Sequence, residues 1–220
     1  MTGKISALIF DFDGTLIDSK KDVFESLMHA FSVCGIPINP PEAAIIMQKQ
    51  LSDAIKYAAP DISPEKRAAI SEAYKKHYDA SKYPNTTLMP GARDLLEICA
   101  RRSIPCSIVS NKRQFPILRI FDLFNLRGYF TSVYSPDVFD GKKLTKSQLL
   151  AYALKVQRLN RKTTAYIGDM EVDILAAREN GMISIAVTNG YGADAAKATS
   201  PDFVVQDLSG VLEILSSEQE

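Results

Sequence analysis

The chain has 220 residues, 46% of them hydrophobic, and carries 26 basic against 26 acidic residues for a formal net charge of zero. That length can bury a substantial core and fits one domain with an insertion or two small domains. The charge balance supplies no global field for nucleic acid or an anionic membrane, so neither is an expected partner, and any anion must be held by local groups.

The N-terminal stretch MTGKISALIF runs straight into acidic residues without the basic region, long apolar run and cleavage site of a secretion signal. No later segment is long enough to span a bilayer, and the expected location is the cytoplasm. Cys34, Cys99 and Cys106 are widely spaced in apolar settings, which suits buried free thiols better than a disulfide framework or a zinc knuckle.

The first element is a short, nearly continuous apolar run at residues 5–10, the pattern of a strand buried on both faces of a parallel sheet. DSKKDVFESLMHAFSVCGI follows, with Val23, Leu27, Ala30, Phe31 and Cys34 at helical spacing and Gly35 as a stop. Two further helical stretches, PPEAAIIMQKQLSDAIKYA and SPEKRAAISEAYKKHYDA, each open on proline with an acidic first turn. Beyond Tyr83 helix and strand alternate: PGARDLLEICARR, strand PCSIVSN, FPILRIFDLF, strand YFTSVYS, TKSQLLAYALKVQ, strand TTAYIGD, VDILAAREN, then strands SIAVT and DFVVQ. The pattern predicts an α/β fold, a Rossmann-like open parallel sheet covered on both faces, with an all-helical insertion.

Ligands of such sheets bind beyond the carboxyl ends of the strands. There the sequence places Asp11 and Asp13, Ser110 and Asn111, and Gly168 and Asp169, with Asp173 one helical turn further on and Lys146 at the start of a helix. Two carboxylates about 4 Å apart repel by roughly 4 kcal/mol at an effective dielectric of 20, so the cluster calls for protons or a cation. Magnesium, which takes oxygen ligands and often a substrate phosphate, is the natural candidate, held by Asp11, Asp169 and a backbone carbonyl near Asp13. Asp13 is free of that duty and suits a general acid and base. Lys146 would add fixed positive charge, and Ser110 and Asn111 would donate hydrogen bonds to phosphoryl oxygens.

With DFDGT at 11–15, Ser110 and Asn111, Lys146, and GDMEVD at 168–173, the chain resembles the haloacid dehalogenase superfamily of phosphotransferases over nearly its whole length. The resemblance implies that Asp11 is phosphorylated, that Asp13 is the acid and base, and that magnesium is held by Asp11, the main-chain carbonyl of Asp13 and Asp169, with Asp173 as their supporting partner. It also implies a catalytic core of residues 1–16 and 86–220 and a helical cap of residues 17–85, hinged near Ile17 and Leu88. The second aspartate argues for phosphate chemistry, since dehalogenases proper lack it. The cap type and the segment VTNGYG most resemble the phosphoglycolate phosphatase group, implying a phosphatase for a small phosphorylated metabolite. Pyrophosphatase, nucleotidase and β-phosphoglucomutase-like activity are the alternatives. A non-enzymatic binding protein is disfavoured because the motif set is intact.

GKKLTK also offers Lys142 and Lys143. Lys146 is preferred because TKSQLLAYAL resembles the family variant in which the lysine opens the helix, and helix N-termini favour phosphate. Asp18 and Ser19 suit helix caps better than ligands. GYGADA at 190–195 matches the GxGxxA of dinucleotide-binding proteins but sits too late in the chain, with no second mononucleotide-binding half after it, so a turn closing the rim of the site is expected. His29 and His77 pair with no acid or cysteine at ligand spacing and read as structural or solvated.

Overall fold

A computed structural model of the protein describes residues 4–46, 49, 51–139 and 144–217. In chain order the elements are β1 (Ala7–Phe10), β2 (Ile17–Asp18), α1 (Lys20–Val33), α2 (Pro40–Ile46), α3 (Leu51–Ala58), α4 (Pro64–Ala80), β3 (Thr87–Leu88) and α5 (Ala92–Arg101). There follow β4 (Cys106–Val109), α6 (Gln114–Phe124), β5 (Phe130–Tyr134), α7 (Lys146–Gln157), β6 (Thr164–Gly168), α8 (Glu171–Glu179), β7 (Ile183–Val187), α9 (Ala193–Ala198), β8 (Phe203–Val205) and α10 (Leu208–Ser217). They divide into two compact units, Met1–Asp18 with Thr87–Glu220, and Ser19–Thr86.

The first unit is built on a six-stranded sheet in the order β5-β4-β1-β6-β7-β8, parallel throughout. The six strands expected from sequence are these six. Their apolar runs make sense because β1, β4, β6 and β7 are buried at every position, which only a sheet covered on both faces requires. Side chains alternate accordingly. Ile9, Val109 and Tyr166 meet Leu149, Leu150, Ala153, Ala176 and Ala177 of α7 and α8. Phe10, one residue on, packs edge-on to Phe130, whose ring stacks on Phe121 of α6. Each such large apolar side chain stabilises the fold by about 1.5–3 kcal/mol on burial.

Chain order matters for function. From β1 the chain builds β4 and β5 on one side, then crosses to build β6, β7 and β8 on the other, so β1 lies at the switch point between β4 and β6. The register pairs Phe10 with both Ile108 and Ile167, which brings the carboxyl ends of all three strands level. Beyond the sheet, Ile17 pairs with Leu88 and Asp18 with Thr87 in a two-rung antiparallel ladder. Sequence gave no strand signal there, because two residues carry no readable period.

The Ser19–Thr86 unit is all helix, with Leu27, Ala30, Phe31, Ile46, Ala54, Ile55 and Ile70 as its core. Ser63 caps α4 by accepting a hydrogen bond from the Lys66 amide, and Pro64 opens that helix. The single helix expected at 40–58 is instead the pair α2 and α3. The face expected of α1 also shifts: Val23 is only half-buried, while Asp22 and Ser26 are buried beside Leu27, Ala30 and Phe31. Polar groups can take core positions when they are hydrogen-bonded. Asp22 accepts from the Asn85 amide nitrogen at 3.1 Å, the Asn85 side chain at 2.8 Å and the Thr86 hydroxyl at 2.7 Å. Ser26 lies 3.0 Å from Nδ1 of His77, whose ring stacks on His29 with centroids 4.1 Å apart. Burial first, and then the neighbouring His29, lower the His77 pKa below its ordinary value.

Ser19 stands at the position that opens α1, but its side chain makes no capping hydrogen bond, and Asp18 instead accepts from the Tyr191 hydroxyl at 2.8 Å. Cys99 and Cys106 are buried free thiols, and Cys34 is half-buried. Among the described residues no helix is long and apolar enough to cross a membrane.

Candidate active site

Asp11 directly follows β1, and its backbone N–H continues the ladder by donating to the Ile167 carbonyl at 2.8 Å. Asp169 follows the last residue of β6, and Asp173 lies in the first turn of α8. Carboxylate oxygens of Asp11, Asp169 and Asp173 all lie within 4.8 Å of one another, and all three side chains are buried. One buried ammonium answers them. Lys146 is the first residue of α7, a helix opened by a reciprocal pair of hydrogen bonds between Thr145 and Gln148. Its Nζ sits 2.7 Å from Oδ1 of Asp11 and 2.9 Å from Oδ1 of Asp173, 5.9 Å from the centre of the Tyr166 ring. Lys142 and Lys143, the rival lysines, lie outside the described residues.

The electrostatics follow from three acids facing one base. Burial, opposed by Lys146 but aided by Asp173, raises the Asp11 pKa to about 6. Burial again, with the charges of Asp11 and Asp173, raises Asp169 to about 7 against hydrogen bonds from Tyr191 and Thr15. Burial alone would lower Lys146, yet Asp11 and Asp173 hold it above the ordinary lysine value, so it stays an ammonium. Burial first, then the charges of Asp173 and Asp11, keep the Tyr166 phenol protonated.

The three acids are not equivalent. Asp173 is committed: Oδ1 takes Lys146 and lies 3.3 Å from the Tyr166 hydroxyl, while Oδ2 accepts from the Met170 amide at 3.0 Å. Asp169 accepts from the Thr15 hydroxyl at 3.1 Å and the Tyr191 amide at 2.6 Å. Asp11 and Asp169 are thus the pair whose ionised forms are disfavoured as they stand. That is what a site for a small divalent cation with oxygen ligands looks like before its charge is counted, so the donor set fits magnesium. Gly14 shapes the turn between them. Its φ of +82° suits glycine, and a Cβ there would meet Oδ2 of Asp169 at 2.4 Å.

Asp13 stands apart from the buried cluster, with its side chain 27% exposed and its carboxylate 2.8 and 3.1 Å from Nζ of Lys112. Sequence reasoning passed over Lys112. The signal was available, since SNK places a lysine two residues past Ser110 at the same strand end. Ser110 is buried just past the end of β4, where its hydroxyl lowers the Asp11 pKa and accepts from the Lys112 amide at 3.3 Å, and its own amide donates to the Tyr134 carbonyl at 3.1 Å. Asn111, next in the chain, is exposed.

A parallel sheet with acids from two adjacent strand ends, a hydroxyl from a third and a buried lysine defines a class of enzyme that handles anionic groups at a switch point. Comparison with known proteins gives the class its name. Residues 8–187 match the family model described as haloacid dehalogenase-like hydrolase, and the chain belongs to that family. Phosphoglycolate phosphatase of Vibrio parahaemolyticus is 28% identical over 222 residues, spanning 96% of this chain and 96% of that protein. The Agrobacterium fabrum protein of the same name is 27% identical, over 92% of this chain and 89% of its own. Among solved structures, a predicted phosphoglycolate phosphatase from Haemophilus somnus superposes with a TM-score of 0.86 at 20% identity, covering 96% and 97% of the two chains. A haloacid dehalogenase-like family hydrolase from Streptococcus pneumoniae gives 0.81 at 25% identity, covering 96% and 98%. The chain is an enzyme, a phosphatase of this family.

Proposed function

We propose that the chain hydrolyses a small phosphomonoester through a phosphoryl group carried on Asp11. The observation that supports this reading is the buried trio of Asp11, Asp169 and Asp173 around one ammonium. Magnesium held by Asp11, Asp169 and the main-chain carbonyl of Asp13 would supply the positive charge that keeps the two raised carboxylates ionised and offsets that of the phosphate.

In the first half-reaction a carboxylate oxygen of Asp11 bonds to phosphorus as the bond from phosphorus to the leaving oxygen breaks. Asp13, in its acid form, gives that oxygen its proton. In the second, water bonds to phosphorus and passes its proton to Asp13, the bond to Asp11 breaks, and inorganic phosphate leaves. Lys146 holds Asp11 at 2.7 Å in its ionised form, and Asp173 holds Lys146. Ser110 donates to a phosphoryl oxygen, and Asn111 joins it from the same strand end.

The relatives are named for phosphoglycolate, and we place a small acidic phosphomonoester of that kind first among substrates. The Ser19–Thr86 unit is proposed as the cap that selects it; replacing this segment with that of a relative of different specificity should change substrate preference while keeping the aspartyl-phosphate. The test of the function is a screen of phosphorylated metabolites with magnesium, reading kcat/KM for each. Phosphoglycolate or a similar ester should lead, and rapid quenching should trap acid-stable label on Asp11. Turnover persisting in Asp11→Asn would overturn the mechanism.

A further inference from the structure

The segment TNGYG at 188–192 was expected only to turn at the rim, and it does more. Its entry is pinned to the end of β8, where the Thr188 and Asn189 amides each donate at 3.0 Å to the carbonyls of Val205 and Gln206. It then runs against the carboxylate at the end of β6. A Cβ on Gly190 would lie 2.2 Å from Cβ of Asp169 and 2.6 Å from the Gly14 carbonyl oxygen, and one on Gly192 would lie 2.4 Å from the Met170 sulfur. Contacts under 3 Å with Asp169 and the Gly14 backbone leave no room for a side chain at Gly190, so that glycine is there for close approach, whereas the Met170 sulfur beside Gly192 belongs to a flexible side chain that can shift. Between them, the Tyr191 N–H donates to Oδ2 of Asp169 at 2.6 Å, and the Tyr191 hydroxyl donates to Oδ1 of Asp18 at 2.8 Å.

Resting on the proposed metal-dependent function, we propose that Tyr191 is the positioning residue of the metal carboxylate. Its amide fixes which way Asp169 points, and its phenol, tied to Asp18 of β2, fixes the amide. A hydrogen bond to a carboxylate is strong and short only while donor and acceptor stay aligned. The Thr15 hydroxyl on Oδ1 and the Tyr191 amide on Oδ2 together leave the Asp169 carboxylate little freedom to rotate. Past Gly190 the segment is held by the phenol on Asp18 and by the Gly192 carbonyl, which accepts from the Ala196 amide at 3.0 Å, and the phenol is the anchor on the tyrosine itself. Pre-setting a ligand in this way raises metal affinity by removing the ordering that binding would otherwise require.

The experiment is calorimetric titration of magnesium chloride into the metal-stripped chain, with thermal unfolding in EDTA as the check on the fold. Wild type should bind. Tyr191→Phe and Asp18→Ala should each weaken binding by about threefold to tenfold, the loss of one aligned hydrogen bond, with little change in EDTA melting. The double variant should be no worse than either single one, and Asp18→Asn, which still accepts, should bind as wild type. Raising magnesium should restore kcat in Tyr191→Phe, which a general structural defect would not allow. Gly190→Ala, whose Cβ strikes Asp169, should weaken binding further; if it fails to fold, the tyrosine and aspartate variants decide. Unchanged affinity in both Tyr191→Phe and Asp18→Ala, with wild type binding, overturns this assignment alone. A wild-type chain that binds no magnesium overturns the metal-dependent reading and this assignment with it.

Discussion

Asp22 in the helical unit and Asp169 in the sheet unit are both buried, 2% and 0% exposed, yet they are buried in opposite ways. Asp22 is surrounded by neutral donors, two from Asn85 and one from Thr86, which tie the end of the helical segment to the start of α1. Asp169 also has two donors, but it faces Asp11 and Asp173 within 4.8 Å. One arrangement answers a charge with dipoles and is complete; the other sets like charges together and needs something more. Burial of an acid therefore does not mark chemistry. Crowding of acids does.

The comparison breaks if the two kinds of acid respond alike to removal. Asp11→Asn should reduce turnover by at least about 10³-fold, as loss of a nucleophile does, while leaving the melting temperature near wild type, because an acid with a disfavoured ionised form is lost. Steady-state kinetics beside calorimetry checks both halves, and a large loss of stability would show that the cluster is structural. Asp13→Asn should come next, slowing esters with poor leaving groups by about 10²-fold or more and aryl esters far less. Equal losses across a leaving-group series would remove the acid and base from Asp13. Asp22→Ala should do the reverse of Asp11→Asn, lowering stability by on the order of 2 kcal/mol through the orphaned Asn85 and Thr86 donors. Its kcat measured well below the melting point should stay within about twofold of wild type, as expected of a site that only holds the fold.

Sequence could see one of these acids and not the other for a physical reason. Asp11, Asp13 and Asp169 stand directly beyond apolar runs that read as buried parallel strands, so a strand-end rule finds them without knowledge of the sheet order. Lys146 was legible from its place at a helix start. Asp22 lies within a helical pattern whose apolar positions predict Val23 on the buried face, and its partners are more than sixty residues away in a segment with no period. No local signal reports a hydrogen bond of that span. The Tyr191 contacts were hidden likewise, because a loop's meaning depends on what it touches. Other omissions had a signal: α10 shows apolar Leu208, Val211 and Leu215 at helical spacing, and Lys112 directly follows the Ser110–Asn111 pair.

The smallest effect sharpens the comparison most, because it reads the crowding directly. Asp11 and Asp169 have folded-state values of about 6 and about 7 against an ordinary 3.8. A raised carboxylate means the folded chain binds more protons than the unfolded chain between those values. The stability these two groups contribute is then fully present below pH 3.8 and lost as pH rises through 6 and 7. Lys146, raised from 10.5, loses its contribution only at far more alkaline pH and adds no slope here, while His77, lowered below 6.5, gains stability as pH rises and opposes part of the fall. In EDTA the stability, read from the melting temperature, should therefore fall from about pH 4 to about pH 7, with a slope on the order of 1–2 kcal/mol per pH unit, and level off above that. Asp11→Asn and Asp169→Asn should each flatten that slope. Magnesium should invert the dependence, since protons compete with the cation for the same two carboxylates and binding strengthens as they leave. A slope unchanged in both active-site variants would mean that the crowded acids are not what the folded chain protonates.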